Sequence, residues 1–206
     1  MRCHDRLPLE SWGRVGRASS SSPGAERAIA AGQKSAFVYN ILGRAYAGVN
    51  NLDKAKEALQ KALELSPEFI SARLALGDIY VKTQQYDLAE AEANAVLAKQ
   101  NNLPEAHFLL GLIAMGRQQF ETAKAAYEKA LAIKNDYGEA HFQLGLAYRA
   151  LGKTEDAITS LERAAELLEN HLPSLVNLTV WLFETGKYDQ AVEYGKQALT
   201  LDSGNL

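Results

Sequence analysis

Apolar residues along this chain recur in threes and fours, and the recurrence itself repeats. Leu42 and Tyr46, then Ala55, Leu59 and Ala62, fall at helical spacing, with the polar interruption NNLD between the two runs. The same arrangement returns around QQYD, QQFE, GKTE and GKYD, which predicts a series of helix, turn, helix units. No stretch alternates with strand period for long enough to compete. The period is 34 residues: Gly43, Gly77, Gly111 and Gly145 are each that far apart, and the next step lands on Thr179. A leucine precedes each of these positions (Leu42, Leu76, Leu110, Leu144, Leu178), and an alanine follows twelve residues on (Ala55, Ala89, Ala123, Ala157, Ala191). Two further columns hold Ala62, Val96, Ala130, Ala164 and Ala198, and Tyr46, Tyr80, Ala114, Tyr148 and Leu182.

Each column has a physical reason. Two antiparallel helices joined by a short turn cross closely, and a glycine facing an alanine lets their backbones approach. The leucine and tyrosine columns fill the space within and between pairs, so a unit buries its apolar face only when a neighbour stacks on it. Asp53, Asp87, Glu121, Glu155 and Asp189 fall in the first turn of each second helix, where a negative charge meets the positive end of the helix dipole. Pro67, Pro104 and Pro173 stand at junctions between units, where no internal helix hydrogen bond is lost.

With these columns in register, the pattern resembles the tetratricopeptide repeat, whose signature is a small residue at position 8 and alanines near positions 20 and 27. Setting position 8 on the glycine column gives repeats at 36–69, 70–103, 104–137, 138–171 and 172–205. Pro67 supplies the family's proline at position 32 in the first repeat, while Asn101, Asn135, Glu169 and Ser203 replace it later. Thr179 departs from the small residue, and Gly195 lies inside the last second helix at an expected cost of about 1 kcal/mol relative to alanine. Upstream, Ala28 falls in the position-27 column, so residues 25–35 read as the remnant second helix of an incomplete repeat. The resemblance implies an all-α, right-handed superhelical solenoid of stacked helix-turn-helix repeats.

Composition and charge narrow the function. Residues 1–24 hold two prolines, three glycines, a serine tract and no sustained apolar period, and are expected to form a disordered, basic, Ser-rich tail. Residues 1–35 carry six Lys/Arg against three Asp/Glu, which leaves sixteen against twenty-two in the repeats. An acidic repeat region argues against nucleic acid, and against the RNA-binding pentatricopeptide relatives, which rely on basic grooves. No apolar run is long enough for a membrane span, and no leader pattern stands at the start. The single cysteine, Cys3, cannot form an internal disulfide, which fits a reducing compartment and a cytoplasmic location, with the periplasm open if the natural start is missing.

The residues offer little chemistry. His107 and His141 share position 4 of adjacent repeats and read as half-buried rings packing between helices. A shared metal would need both nitrogens within about 2.0 to 2.1 Å of one ion, closer than neighbouring helix pairs allow. His171 lies at a repeat junction. There is no HExxH, CxxC, GxxxxGK[ST] or GxSxG pattern. The expectation is no enzyme, no cofactor and no metal.

What the resemblance implies instead is binding. In the family, positions 2, 5, 6, 9, 12 and 13 of the first helices line a concave groove. The first two repeats place a mixed set there (Phe37, Asn40, Arg44, Leu74, Asp78, Val81, Lys82). The last three place an apolar strip of Phe108, Leu112, Met115, Phe142, Leu146, Val176, Val180 and Phe183, rimmed by Glu105, Glu139 and Glu184. The carboxylate clamp of chaperone-binding members is absent, because its positions hold Asn40, Arg44, Ala75, Glu105 and Leu109. So is the asparagine ladder of the sugar-transferase type, whose column reads Ile41, Ala75, Leu109, Gln143 and Asn177. The expected partner is a protein or peptide with apolar anchors and basic flanks. Three other readings stand beside it: the chain's own tail or superhelix closure covering the strip, a weak homo-oligomer formed through uncapped solenoid ends, and a fragment of a longer protein whose catalytic or effector part lies elsewhere.

Overall fold

The computed structural model describes residues 35–203. The expectations for residues 1–24, and for 25–35 apart from Ser35, lie outside the described residues. Ten helices and no strands occupy the described part: α1 (Ala36–Gly48), α2 (Leu52–Leu65), α3 (Ile70–Lys82), α4 (Tyr86–Lys99), α5 (Pro104–Gly116), α6 (Phe120–Ile133), α7 (Gly138–Ala150), α8 (Thr154–Leu167), α9 (Leu172–Glu184) and α10 (Tyr188–Ser203). Their starts follow from local chemistry. The Ser35 hydroxyl accepts from the Val38 amide, and the Asn51 side chain accepts from that of Lys54, each at 3.3 Å. Proline stands in the first turn of α5 and α9, and an acid in the first turn of α2, α4, α6, α8 and α10.

The turn inside each helix pair is the same device five times. Asn50, Gln84, Gln118, Gly152 and Gly186 all adopt left-handed backbone, with φ between 58° and 77°. The next amide then reaches back to a carbonyl five residues earlier: Asn51 to Tyr46, Gln85 to Tyr80, Gln119 to Ala114, Lys153 to Tyr148 and Lys187 to Leu182, at 2.8 to 2.9 Å. This closes the orphan carbonyls at the end of each first helix and fixes the reversal of direction.

Every helix packs on its neighbours in sequence, and the first helices also meet across units, α1 with α3, α3 with α5, and α5 with α7. First helices therefore line the inner side of the stack and second helices the outer side.

Volume is matched across each pair. A Cβ on Gly43 would lie 2.6 Å from Leu59, one on Gly111 2.3 Å from the Tyr127 ring, and one on Gly145 3.1 Å from Leu161. In the second unit the facing residue is only Ala93, and Leu109 of the next unit fills the gap, 2.5 Å from a Cβ on Gly77. The fifth unit inverts the arrangement. Gly195 occupies the place of Leu59, Tyr127 and Leu161, and a Cβ there would lie 3.3 Å from Thr179. Gly195 is thus more than a helix-weakening residue, since it makes room for the threonine that replaces the column glycine.

Candidate functional site

The histidines are structural in the way they bond. The Nε2–H of His107 donates to the Asn101 carbonyl at 3.1 Å, and that of His141 donates to the Asn135 carbonyl at 2.9 Å. Arg73, at the same position of the second unit, does likewise, its Nε donating to the Pro67 carbonyl at 2.9 Å. An arginine and two histidines thus tie α3, α5 and α7 to the end of the preceding unit. The residue type varies while the N–H is kept, so the column is hard to see in sequence.

Charge pairs hold the turn edge of the stack. Arg117 pairs with both Asp87 and Glu90, Lys153 with Glu121, and Lys187 with Glu155, so the turn of one unit is fastened to the second helix of the unit before it. Arg149 reaches Glu184 while lying 5.6 Å over the Trp181 ring. The pairs involving Arg117 and the two lysines are partly or largely exposed and act mainly as register marks.

The inner face divides into two parts. Phe108, Leu112, Met115, Phe142 and Leu146 are half-buried. Phe108 stands 5.7 Å from the Tyr127 ring and 5.0 Å from the Tyr137 ring, while Phe142 meets His171 edge-on at 4.9 Å. Leu112 and Met115 pack on the cluster around Tyr127, and Leu146 on the one around Leu161 and Trp181. These side chains were expected to face outward as an open strip; each instead rests partly on the aromatic or aliphatic residues of the following element. Val176, Val180 and Phe183, spaced four and three residues apart on α9, are open, with Phe183 64% exposed and leaning on Tyr188 at 5.5 Å.

Glu105 and Glu139, each in the first turn of its helix, enter no ion pair among the described residues, and Glu105 Oε2 is enclosed without a hydrogen-bond partner. Burial, and then the charges of Glu105, Glu139 and Asp78, push the Tyr137 phenol well above the ordinary tyrosine range. Burial also holds the His171 imidazole below its usual value, with Glu139 pulling the other way, and its Nδ1 lies 2.7 Å from the Ser174 hydroxyl. Neither Tyr137 nor His171 stood out in the sequence as a groove residue. Their signal was the junction column Phe69, Leu103, Tyr137, His171, which turns polar-aromatic where position 5 turns to phenylalanine.

Among the described residues no group of three or more His, Cys, Asp or Glu is placed to hold a metal, and no helix is long and apolar enough to cross a membrane.

Tetratricopeptide repeat models match residues 46–113, 115–152 and 140–203. No curated protein sequence matches the chain. Among solved structures, a thermophilic tetratricopeptide protein of Thermus thermophilus is 21% identical with a TM-score of 0.70, over 81% of this chain and 91% of that one. PilF of Pseudomonas aeruginosa is 22% identical with a TM-score of 0.71, over 86% and 78%. YrrB, described as having an unusual peptide-binding site, is 22% identical with a TM-score of 0.55, over 90% and 93%. At such identities the likeness is one of fold. The 34-residue columns, the repeated left-handed turn, the stacked helix pairs and the matched family models agree, and the chain belongs to the tetratricopeptide repeat family.

Proposed function

We propose that the protein is a non-catalytic scaffold that binds a protein or peptide along the inner face of α5, α7 and α9, as an apolar segment with basic flanks. The observation that carries this reading is the open row Val176, Val180 and Phe183, continuous in position with the half-buried Phe142, Leu146, Phe108, Leu112 and Met115. An apolar row on an exposed face gains by being covered. Glu105 and Glu139, in the first turns of α5 and α7 and without an ion pair among the described residues, favour basic residues in whatever covers that face. His107 and His141, which share one position of adjacent repeats, are committed to backbone carbonyls, which supports a role without catalysis. A chain with one thiol suits the reducing cytoplasm.

Phe183→Glu tests the row cleanly. The side chain is 64% exposed, so stability should move by no more than about 0.5 kcal/mol, while affinity for a groove ligand should fall by about 2 kcal/mol or more. Circular dichroism with a titration checks both, and a folded variant of unchanged affinity would place the ligand elsewhere. Phe108→Glu is a poorer probe, because the ring packs on Tyr127 and Tyr137 and its loss disturbs the core.

A second reading has its own observation. Val192 and Leu199 are 55% and 70% exposed on α10, whereas the equivalent Ile158 and Ala165 of α8 lie against the fifth unit. That face would support weak self-association. Sedimentation at rising concentration should then show a monomer–dimer shift, removed by Leu199→Lys; a strict monomer throughout would exclude it.

A further inference from the structure

We propose that the inner face is covered by the chain's own segment 9–15, laid along α5, α7 and α9 with Val15, Trp12 and Leu9 as successive anchors, and that an outside partner binds by displacing it. The inference rests on the groove reading and names the groove's resident occupant. On the side of the fold, Val176 and Val180 are 46% and 45% exposed and Phe183 64%, so α9 presents three large apolar side chains largely to water. Phe108, Leu112, Phe142 and Leu146, half-buried, continue the row on α5 and α7. Covering such a row is favourable in proportion to the apolar area it removes from water.

The segment has a spacing that fits the helices. Along the inner face α3 meets α5 and α5 meets α7, and packed helices lie about 8 to 10 Å apart, which sets the step from one first helix to the next. Leu9, Trp12 and Val15 recur at every third residue of LESWGRV. A polyproline II chain advances about 3.1 Å per residue with three residues per turn, so third residues share a side and stand about 9 Å apart. One anchor therefore falls on each of three first helices. Pro8 before the run, and Gly13 and Gly16 within and after it, weigh against the helical alternative.

Charge and reach agree with this placement. Arg6, Arg14 and Arg17 surround the anchors, with Glu10 the one acid between Arg6 and Arg17. Residues 1–35 hold six Lys/Arg against three Asp/Glu, and the repeats sixteen against twenty-two, so a basic segment meets an acidic stack. Nine residues, 16–24, join Val15 to the expected remnant helix at 25–35. Extended, they span about 30 Å, whereas α5 lies two first-helix steps, about 16 to 20 Å, beyond α1. The segment thus reaches the groove of its own molecule, at a local concentration on the order of millimolar. Against a dissociation constant of about 0.1 mM, that concentration keeps the groove about nine-tenths occupied.

The test uses the whole protein and reads Trp12. The other tryptophan, Trp181, is only 7% exposed, so subtracting the emission of Trp12→Phe from that of wild type isolates the segment. Acrylamide should quench Trp12 in the folded chain at least about threefold less than in a synthetic peptide of residues 1–17. Phe183→Glu and Val180→Glu should each return it towards the peptide's value, and if one of them loses its helical signal the other carries the test. A peptide selected from a displayed random library should bind Leu9→Ser/Trp12→Ser about tenfold more tightly than wild type, because the competitor is gone. Trp12 as accessible as in the free peptide, with a selected peptide bound equally by wild type and Leu9→Ser/Trp12→Ser, would overturn the inference and leave the groove reading standing. Protection that survives both α9 variants would place the segment elsewhere and overturn it as well. Protection lost on dilution would mean that the segment comes from a second copy, which overturns the assignment to the same molecule. An accessible Trp12 with no peptide recovered on either chain would overturn both the inference and the groove reading.

Discussion

Gly111→Ala is expected to destabilise the protein by about 2 kcal/mol, although alanine is the better helix former by about 1 kcal/mol. The added methyl would fall 2.3, 2.5 and 2.8 Å from three atoms of the Tyr127 ring. That ring is fully buried and backed by Phe108, so it cannot swing away as the end of a flexible chain would. Gly145→Ala is the control. Its methyl would meet Leu161 at 3.1 Å and the Ala157 carbonyl at 3.2 Å, contacts that a shift of a few tenths of an ångström relieves. Propensity and crowding should then nearly cancel, leaving a change within about 1 kcal/mol. Urea denaturation of both variants checks the pair. Equal midpoints would show that the tyrosine yields, and that the glycine column does not set the helix separation.

The inverted fifth unit yields the second large effect. Gly195→Leu alone should cost about 2 kcal/mol, because Thr179 stands where the other units have glycine and is held by its hydroxyl bond to the Leu175 carbonyl at 2.8 Å. Thr179→Gly alone should also destabilise, by opening space and adding a glycine to a helix. Together they recreate the Gly43/Leu59 and Gly145/Leu161 arrangement, and the double variant should be more stable than either single change. A coupling of about 2 kcal/mol in the double-mutant cycle is expected. Additive effects would mean the two positions do not share one space.

The repeat and its helical nature were legible because a 34-residue period leaves the same residue types in the same columns, as with Ala55 through Ala191. What was not legible involves two columns at once. Gly195 reads as a defect in its own column, and only the packing shows it complementing Thr179. That Arg73 does the same work as His107 and His141 was hidden for another reason. The structure there needs an N–H aimed at a carbonyl, which an arginine in one unit and a histidine in the next two supply.

The groove was legible in position but not in degree. Position on the first helices assigns Phe108, Phe142 and Phe183 to one face, yet their exposure depends on what the following segment packs beneath them. Tyr137 lies against Phe108 and His171 against Phe142. Phe183 meets the edge of Tyr188 and stays open. Such three-body packing leaves no periodic trace in the chain.

The central claim, that a partner binds along α5, α7 and α9, is tested most directly by mapping a library-selected peptide onto the protein through backbone amide shifts in two-dimensional NMR spectra. Shifts should concentrate around Phe108, Phe142, Val180 and Phe183, with the outer helices α4, α6 and α8 little changed. Shifts centred instead on the outer helices, or on Val192 and Leu199 of α10, would contradict it.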